Sequence, residues 1–181
     1  MKKLYITGLL MMFLLLTGCN FSISIGGDGN SADQEEELQL VVRPVDEEAG
    51  YTLENSPLYQ QLNDMIEENA DVGVPNDFGV QVVNLATDEQ GNTLLTFLAV
   101  NRTNVSMKNM TFSFSMGSTD GEMLWENEPI RLDESIDGVL PPYTAIPLML
   151  YVTPDMEEVF SKLNDENVVM NIEDFDYEVA E

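Results

Sequence analysis

Chemistry in this chain has to be done without histidine and with a single thiol, Cys19. The lack of imidazole removes the commonest general base, the commonest zinc ligand and the side chain that titrates near neutrality. Carboxylate is what remains in quantity, clustered at Asp46-Glu47-Glu48, at Glu67-Glu68 with Asp71, at Asp133-Glu134 with Asp137, and at Glu173-Asp174 with Asp176. Calcium takes six to eight oxygen ligands, so Asp133, Glu134 and Asp137 are the candidate ligands for a calcium ion held at millimolar strength, as extracellular modules hold it. A complete calcium loop is not found. Asp28-Gly29-Asn30 begins like one, but Ala32, Asp33 and Gln39 stand at its fifth, sixth and twelfth positions. Two acids roughly 5–10 Å apart could also hydrolyse a glycosidic bond. Thirty-three acidic residues supply such pairs on any surface, so their presence points nowhere. The chain has no Gly-Xaa-Ser-Xaa-Gly elbow or phosphate-binding loop, and neither Lys108 nor Lys162 falls in a Ser-Xaa-Xaa-Lys arrangement. Solvated faces are the ordinary reading of acidic runs. Trp125 and Tyr143 are the candidate anchors for a partner, since aromatic residues dominate binding hot spots; core packing is their ordinary fate.

The thiol stands in a more specific setting. Met1-Lys2-Lys3 is a cationic start, and Ile6 to Leu16 is an apolar run too short to span a bilayer comfortably. Gly18 is the small residue expected before a cleavage point. The sequence Leu16-Thr17-Gly18-Cys19 resembles the lipobox of bacterial lipoproteins. The resemblance implies that residues 1–18 are removed and that Cys19 becomes the first residue, carrying diacylglycerol with palmitate-type acyl chains. The chain is then expected on the extracytoplasmic face of a cell membrane.

Removing residues 1–18 leaves 163 residues, enough for one domain with a real core. Five basic residues (Arg43, Arg102, Lys108, Arg131 and Lys162) then face thirty-three acidic ones, a formal charge of −28. Such a surface repels nucleic acid and anionic headgroups, which excludes DNA or RNA as a partner and leaves the lipid, not a basic patch, as the membrane anchor. With the one cysteine consumed there is no disulfide framework, and the fold must rest on burial alone.

The elements follow from pattern. Residues 19–37, with Gly26-Gly27-Asp28-Gly29-Asn30 and Gln34-Glu35-Glu36-Glu37, read as a flexible acidic tether. Phe21, Ile23 and Ile25 alternate at its start; a membrane-surface or disordered segment is expected there, with a strand stub as the alternative. Leu38 to Val45 is expected to be a first strand, with Pro44 placing it at an edge or ending it. Ser56 as N-cap and Pro57 at the first position open a helix over 56–69, with Leu58, Leu62, Met65, Ile66 and Asn69 on one face. Strands then follow, with a hairpin at Asp88–Asn92 and a run over Thr93–Val100, apolar at nearly every residue, that suits a strand covered on both sides. Met110, Phe112, Phe114 and Met116 alternate with polar residues, and Asp120-Gly121 makes the next hairpin. Asp133–Gly138 reads as an acidic loop and Thr144–Val152 as a strand with Pro147 at an edge or bend. A short helix over Met156–Leu163 and a last strand with Phe175, Tyr177 and Val179 in period two complete the reading. The fold class expected is mainly β: an Ig-like antiparallel β-sandwich of about seven strands with one N-terminal amphipathic helix, forming a single domain over 38–181.

Residues 82–153 are similar in order to the SLAP domain, a β-rich module of Firmicutes surface proteins. The likeness rests on Val83-Asn84, Asp88-Glu89-Gln90-Gly91-Asn92, Asn101-Arg102-Thr103, the Phe112/Phe114 strand, Asp120-Gly121, Leu132-Asp133-Glu134 and Gly138 to Thr144. Ile146-Pro147-Leu148-Met149 replaces the aromatic pair that usually follows the family's proline turn. The resemblance implies an accessory module outside a Gram-positive cell and brings no catalytic residue. The function expected is therefore non-catalytic, a lipid-anchored interaction or envelope accessory module with another envelope protein as partner and no cofactor unless calcium. The alternatives are a weak calcium or cell-wall ligand binder and a hydrolase with an unrecognised carboxylate site.

Overall fold

The computed structural model describes residues 22–24, 37–69, 71–88 and 90–180. Cys19, the lipobox residues Leu16, Thr17 and Gly18, and most of the expected tether lie outside the described residues. Two sheets face each other. One has the order β1(Ser22–Ser24)–β3(Phe78–Thr87)–β4(Thr93–Asn101)–β7(Thr144–Val152)–β2(Gln39–Leu40), and the other the order β6(Met123–Leu132)–β5(Met107–Ser118)–β8(Val168–Val179). Pairing is antiparallel except between β2 and β7, where two residues run parallel. This is the mainly β sandwich that the alternating pattern predicts.

β4 explains the architecture. Leu95, Phe97 and Ala99 point into the core between the sheets, which β5 fills from the other side with Met110, Phe112, Phe114 and Met116. The intervening Leu98 and Val100 point outward and are also buried. They are covered by α2 (Pro57–Glu68), whose Tyr59, Leu62 and Ile66 close a second core with Leu38, Leu40, Val72 and Ala145. A strand with apolar residues on both faces needs two covers, and the amphipathic helix is the second. The helix begins where expected: Ser56 Oγ accepts from the Tyr59 N–H and Pro57 takes the first turn, where its missing N–H costs nothing.

Several elements differ from the sequence reading. The first strand is only Gln39–Leu40, and Pro44 does not end a strand but opens a short helix, α1 (Pro44–Glu48). Proline with its fixed φ suits a first helical turn as well as a strand terminus, and pattern alone cannot separate the two. The acidic loop contains one helical turn, α3 (Glu134–Asp137), and the late helix α4 is Pro154–Phe160 with Thr153 as its N-cap. Pro147 does lie in a strand without breaking it. It pairs with Leu98 of β4, while β2 covers only Thr144 and Ala145 on the other side, so Pro147 occupies an open edge. Residues Ser22–Ser24 form the strand stub, antiparallel to β3, so both edge strands of the five-stranded sheet, β1 and β2, come from the N-terminal part of the chain.

The three-stranded sheet is kinked by bulges. Asn109 in β5, Asn127 in β6 and Asp174 in β8 each have positive φ (49°, 54° and 53°), and each lies at a step where one strand spends a residue more than its partner. Asn and Asp tolerate this left-handed conformation better than other residues with a Cβ. The bulge at Asp174 shifts the phase of β8. Met170 and Ile172 face the core before it and Phe175 after it, where Phe175 stacks on Phe78 at 4.5 Å. Tyr177 and Val179 continue the period but run out beyond the core.

Candidate functional site

Most charged contacts of the domain converge where the chain after β2 meets the loop after β6. Arg43 precedes α1, and its Nε donates to Asp46 Oδ2 at 2.8 Å while Nη1 reaches Asp137 Oδ1 at 3.5 Å. The Tyr59 hydroxyl donates to the same Asp46 oxygen at 2.6 Å and accepts from the Arg43 backbone N–H at 3.1 Å. Asp137 is held in turn by the Asp133 N–H, 2.9 Å from its Oδ2. This clasp joins α1, α2 and α3 through a short polar network anchored under the helix.

Its electrostatics follow from burial and pairing. Burial is the largest influence on Asp46 and acts to raise its pKa, but the hydrogen bonds from Arg43 and Tyr59 win and hold it below the usual carboxylate range. Burial pushes the Tyr59 hydroxyl up to about 12, with the Asp46 charge acting the same way. For Asp137 burial prevails over Arg43, and its pKa lies above the usual value. A carboxylate held ionised between a neutral phenol and a guanidinium makes a fixed polar joint. None is poised to exchange a proton near neutrality.

The three candidate calcium ligands lie together along the chain but face different cations. Asp133 forms a bidentate pair with Arg131 (2.8–2.9 Å), Glu134 pairs with Lys108 at 3.0 Å, and Asp137 faces Arg43. The Arg131 hydrogen bonds hold Asp133 below its usual pKa. Among the described residues no group of three acidic or thiol side chains is arranged to hold a metal ion. Trp125 is not an exposed anchor. It is 6% exposed, edge-on to Phe97 at 6.2 Å and tilted against Phe114, because the β6 register turns it into the inter-sheet core. Tyr143 is half-buried with φ of 55°, and its carbonyl receives the Gln39 N–H at 3.0 Å, which gives it a place in the β2–β7 seam.

Three residues that pattern reading placed in turns or strands carry more than expected. Asn101 is fully buried; its Nδ2 donates to the carbonyls of Val105, Leu140 and Pro141, and its Oδ1 accepts from Thr103. An Asn beside Arg-Thr-Asn looks like any turn residue, and only tertiary structure brings those carbonyls to it. Asn84 and Thr96 are directly opposite each other on β3 and β4, and among the described residues neither Asn84 Oδ1 nor Thr96 Oγ1, both buried, has a hydrogen-bond partner. The outward side of α2 presents Gln60, Gln61, Asp64 and Glu68 around an open depression. No helix among the described residues is long and apolar enough to cross a membrane. No family model matches this sequence, no curated protein matches it, and no solved structure matches the fold.

Proposed function

We propose that this chain is a lipid-anchored, non-catalytic module of the extracytoplasmic face of a bacterial membrane that serves another envelope protein as an interaction or accessory partner. The observation that carries the reading is Leu16-Thr17-Gly18-Cys19 at the end of a cationic and apolar leader. The domain geometry is compatible with it. Its most connected polar network ties secondary structure together, and its acidic surface suits attachment by lipid and not by charge. The accessory role implied by the likeness of residues 82–153 to the SLAP domain belongs to the same proposal.

Metabolic labelling with palmitate and fractionation of cells test it. The wild-type chain is expected in the membrane fraction with label on Cys19. Cys19→Ser should lose the label and leave the membrane. Retention of Cys19→Ser in the membrane would overturn the lipid anchor, and crosslinking from intact cells that yields no envelope protein would overturn the partner.

A further inference from the structure

The two sheets treat their outward faces differently. On β5 the outward residues Thr111, Ser113 and Ser115 are polar, as a face left to water requires. On β4 the outward set is largely apolar. Val100 and Leu98 lie in the core under α2, and Leu94 continues the row beyond them, with Met149 and Tyr151 of β7 alongside. Thr96 stands between Leu94 and Leu98, fully buried, and among the described residues its Oγ1 has no hydrogen-bond partner. Leu94 and Met149 pack, among the described residues, into neither core, and Tyr151 is 60% exposed. An apolar row that outruns its cover marks the place of a second one.

The course of α2 shapes the gap. The helix begins beside β2, where Tyr59 meets Arg43, and the chain after it brings the Gly73 N–H to Gln81 of β3. It crosses the outer face from the β2 side to the β3 side, and its right-handed turn aims the Gln61, Met65 and Glu68 flank at the Leu94 end of β4. An open depression lined by Gln61, Asp64, Met65 and Glu68 lies on this flank. Leu94 is four residues from Leu98, about 13 Å along the strand. Packed helices lie about 8–10 Å apart, so the gap admits one more helix beside α2. Asp64 and Glu68 make its rim acidic, in a chain with 33 acidic and 7 basic residues. A second copy would bring the same excess of acid, whereas a cationic partner is drawn in. Resting on the partner reading above, we propose that the occupant is an amphipathic helix of another envelope protein. Its apolar stripe lies on Leu94, Met149 and Tyr151, and its Lys or Arg side chains face Asp64 and Glu68.

The test uses the full chain in intact cells, with a photoreactive benzophenone side chain in place of Tyr151, of Gln61 or, on the outward face of the other sheet, of Ser113. The Tyr151 and Gln61 positions should give the same adduct, several-fold above Ser113. Mass spectrometry should place the crosslink in a segment of another protein with apolar residues at helical spacing and Lys or Arg beside them. Asp64→Lys with Glu68→Lys should lower the Tyr151 adduct several-fold, and Glu173→Lys with Asp176→Lys on β8 should leave it unchanged. A crosslink to the N-terminal residues of the same chain or to a second copy overturns the proposal. So does an acidic crosslinked segment, an adduct at Ser113 without one at Tyr151 and Gln61, no adduct at those two positions, or indifference to the Asp64 and Glu68 changes. Each of these leaves the partner reading standing if general crosslinking from intact cells still captures an envelope protein. Failure of that capture overturns the partner and this seat together.

Discussion

The two sides of β4 face cores of different kinds. The inner side joins Phe97 to Phe114 and Trp125 in an aromatic and methionine-rich interior that holds the sheets together by burial. The outer side is aliphatic under α2 and is interrupted by polar groups: Tyr59 tied to Asp46 and Arg43, buried Gln81, and Asn84 Oδ1 and Thr96 Oγ1, which have no partner among the described residues. Burial is not directional and would accept a helix in many orientations. The clasp restricts it to one by requiring the Tyr59 hydroxyl to meet two groups near α1. The inner core therefore sets whether the chain folds, and the outer face sets where the helix sits.

That contrast can be broken at several points. Phe97→Ala should be the most damaging change, lowering unfolding free energy by about 3–5 kcal/mol in urea titrations. Leu62→Ala is expected to cost about 2–5 kcal/mol, and native-state hydrogen exchange should place the loss first in α2. Uniform acceleration across the sheets would erase the distinction between the cores. Tyr59→Phe removes one donor and leaves the Arg43 N–H without its acceptor, a cost of about 1–3 kcal/mol by thermal or chemical unfolding.

The same tyrosine gives a pH signature. Its folded pKa of about 12 lies above the ordinary 10, so its contribution is complete below pH 10 and is lost as pH rises toward 12. Wild type should lose stability over that interval relative to Tyr59→Phe, with a phenolate absorbance transition delayed in the folded state. Asp46 works in the opposite window. Its lowered pKa gives stability that is present above the unfolded carboxylate pKa and disappears as pH falls through the folded value. Thr96→Val should have the smallest effect, neutral or stabilising by up to about 1 kcal/mol, because it replaces an unpartnered hydroxyl by a methyl of the same shape. A clear loss of stability would mean that the hydroxyl has a partner in solution.

Local chemistry was legible where it was self-contained. Ser56-Pro57 opens the helix, Asp120-Gly121 turns a hairpin, and the mostly apolar run of β4 announces covers on both faces. What pattern missed depends on distant neighbours. Tyr59 looks like a surface residue between Leu58 and Gln60 until Asp46 and Arg43 come to meet its hydroxyl. The bulges at Asn109, Asn127 and Asp174 are counts of residues relative to a partner strand, which one strand cannot reveal by itself. Of the candidate site residues, Asp133, Glu134 and Asp137 were found as a cluster, but their cationic partners Arg131, Lys108 and Arg43 come from three separate places in the chain.

The pairing of Ser22–Ser24 with β3 also has a mechanical side. A pull directed along the axis of β1 would load the β1–β3 contacts together in shear and would not peel them one at a time. Antiparallel strands dragged past each other resist more than strands unzipped from an end. Three residues of β-structure thus act as a strain relief: they take up tension from the N-terminal side before it reaches β3 and the core behind it.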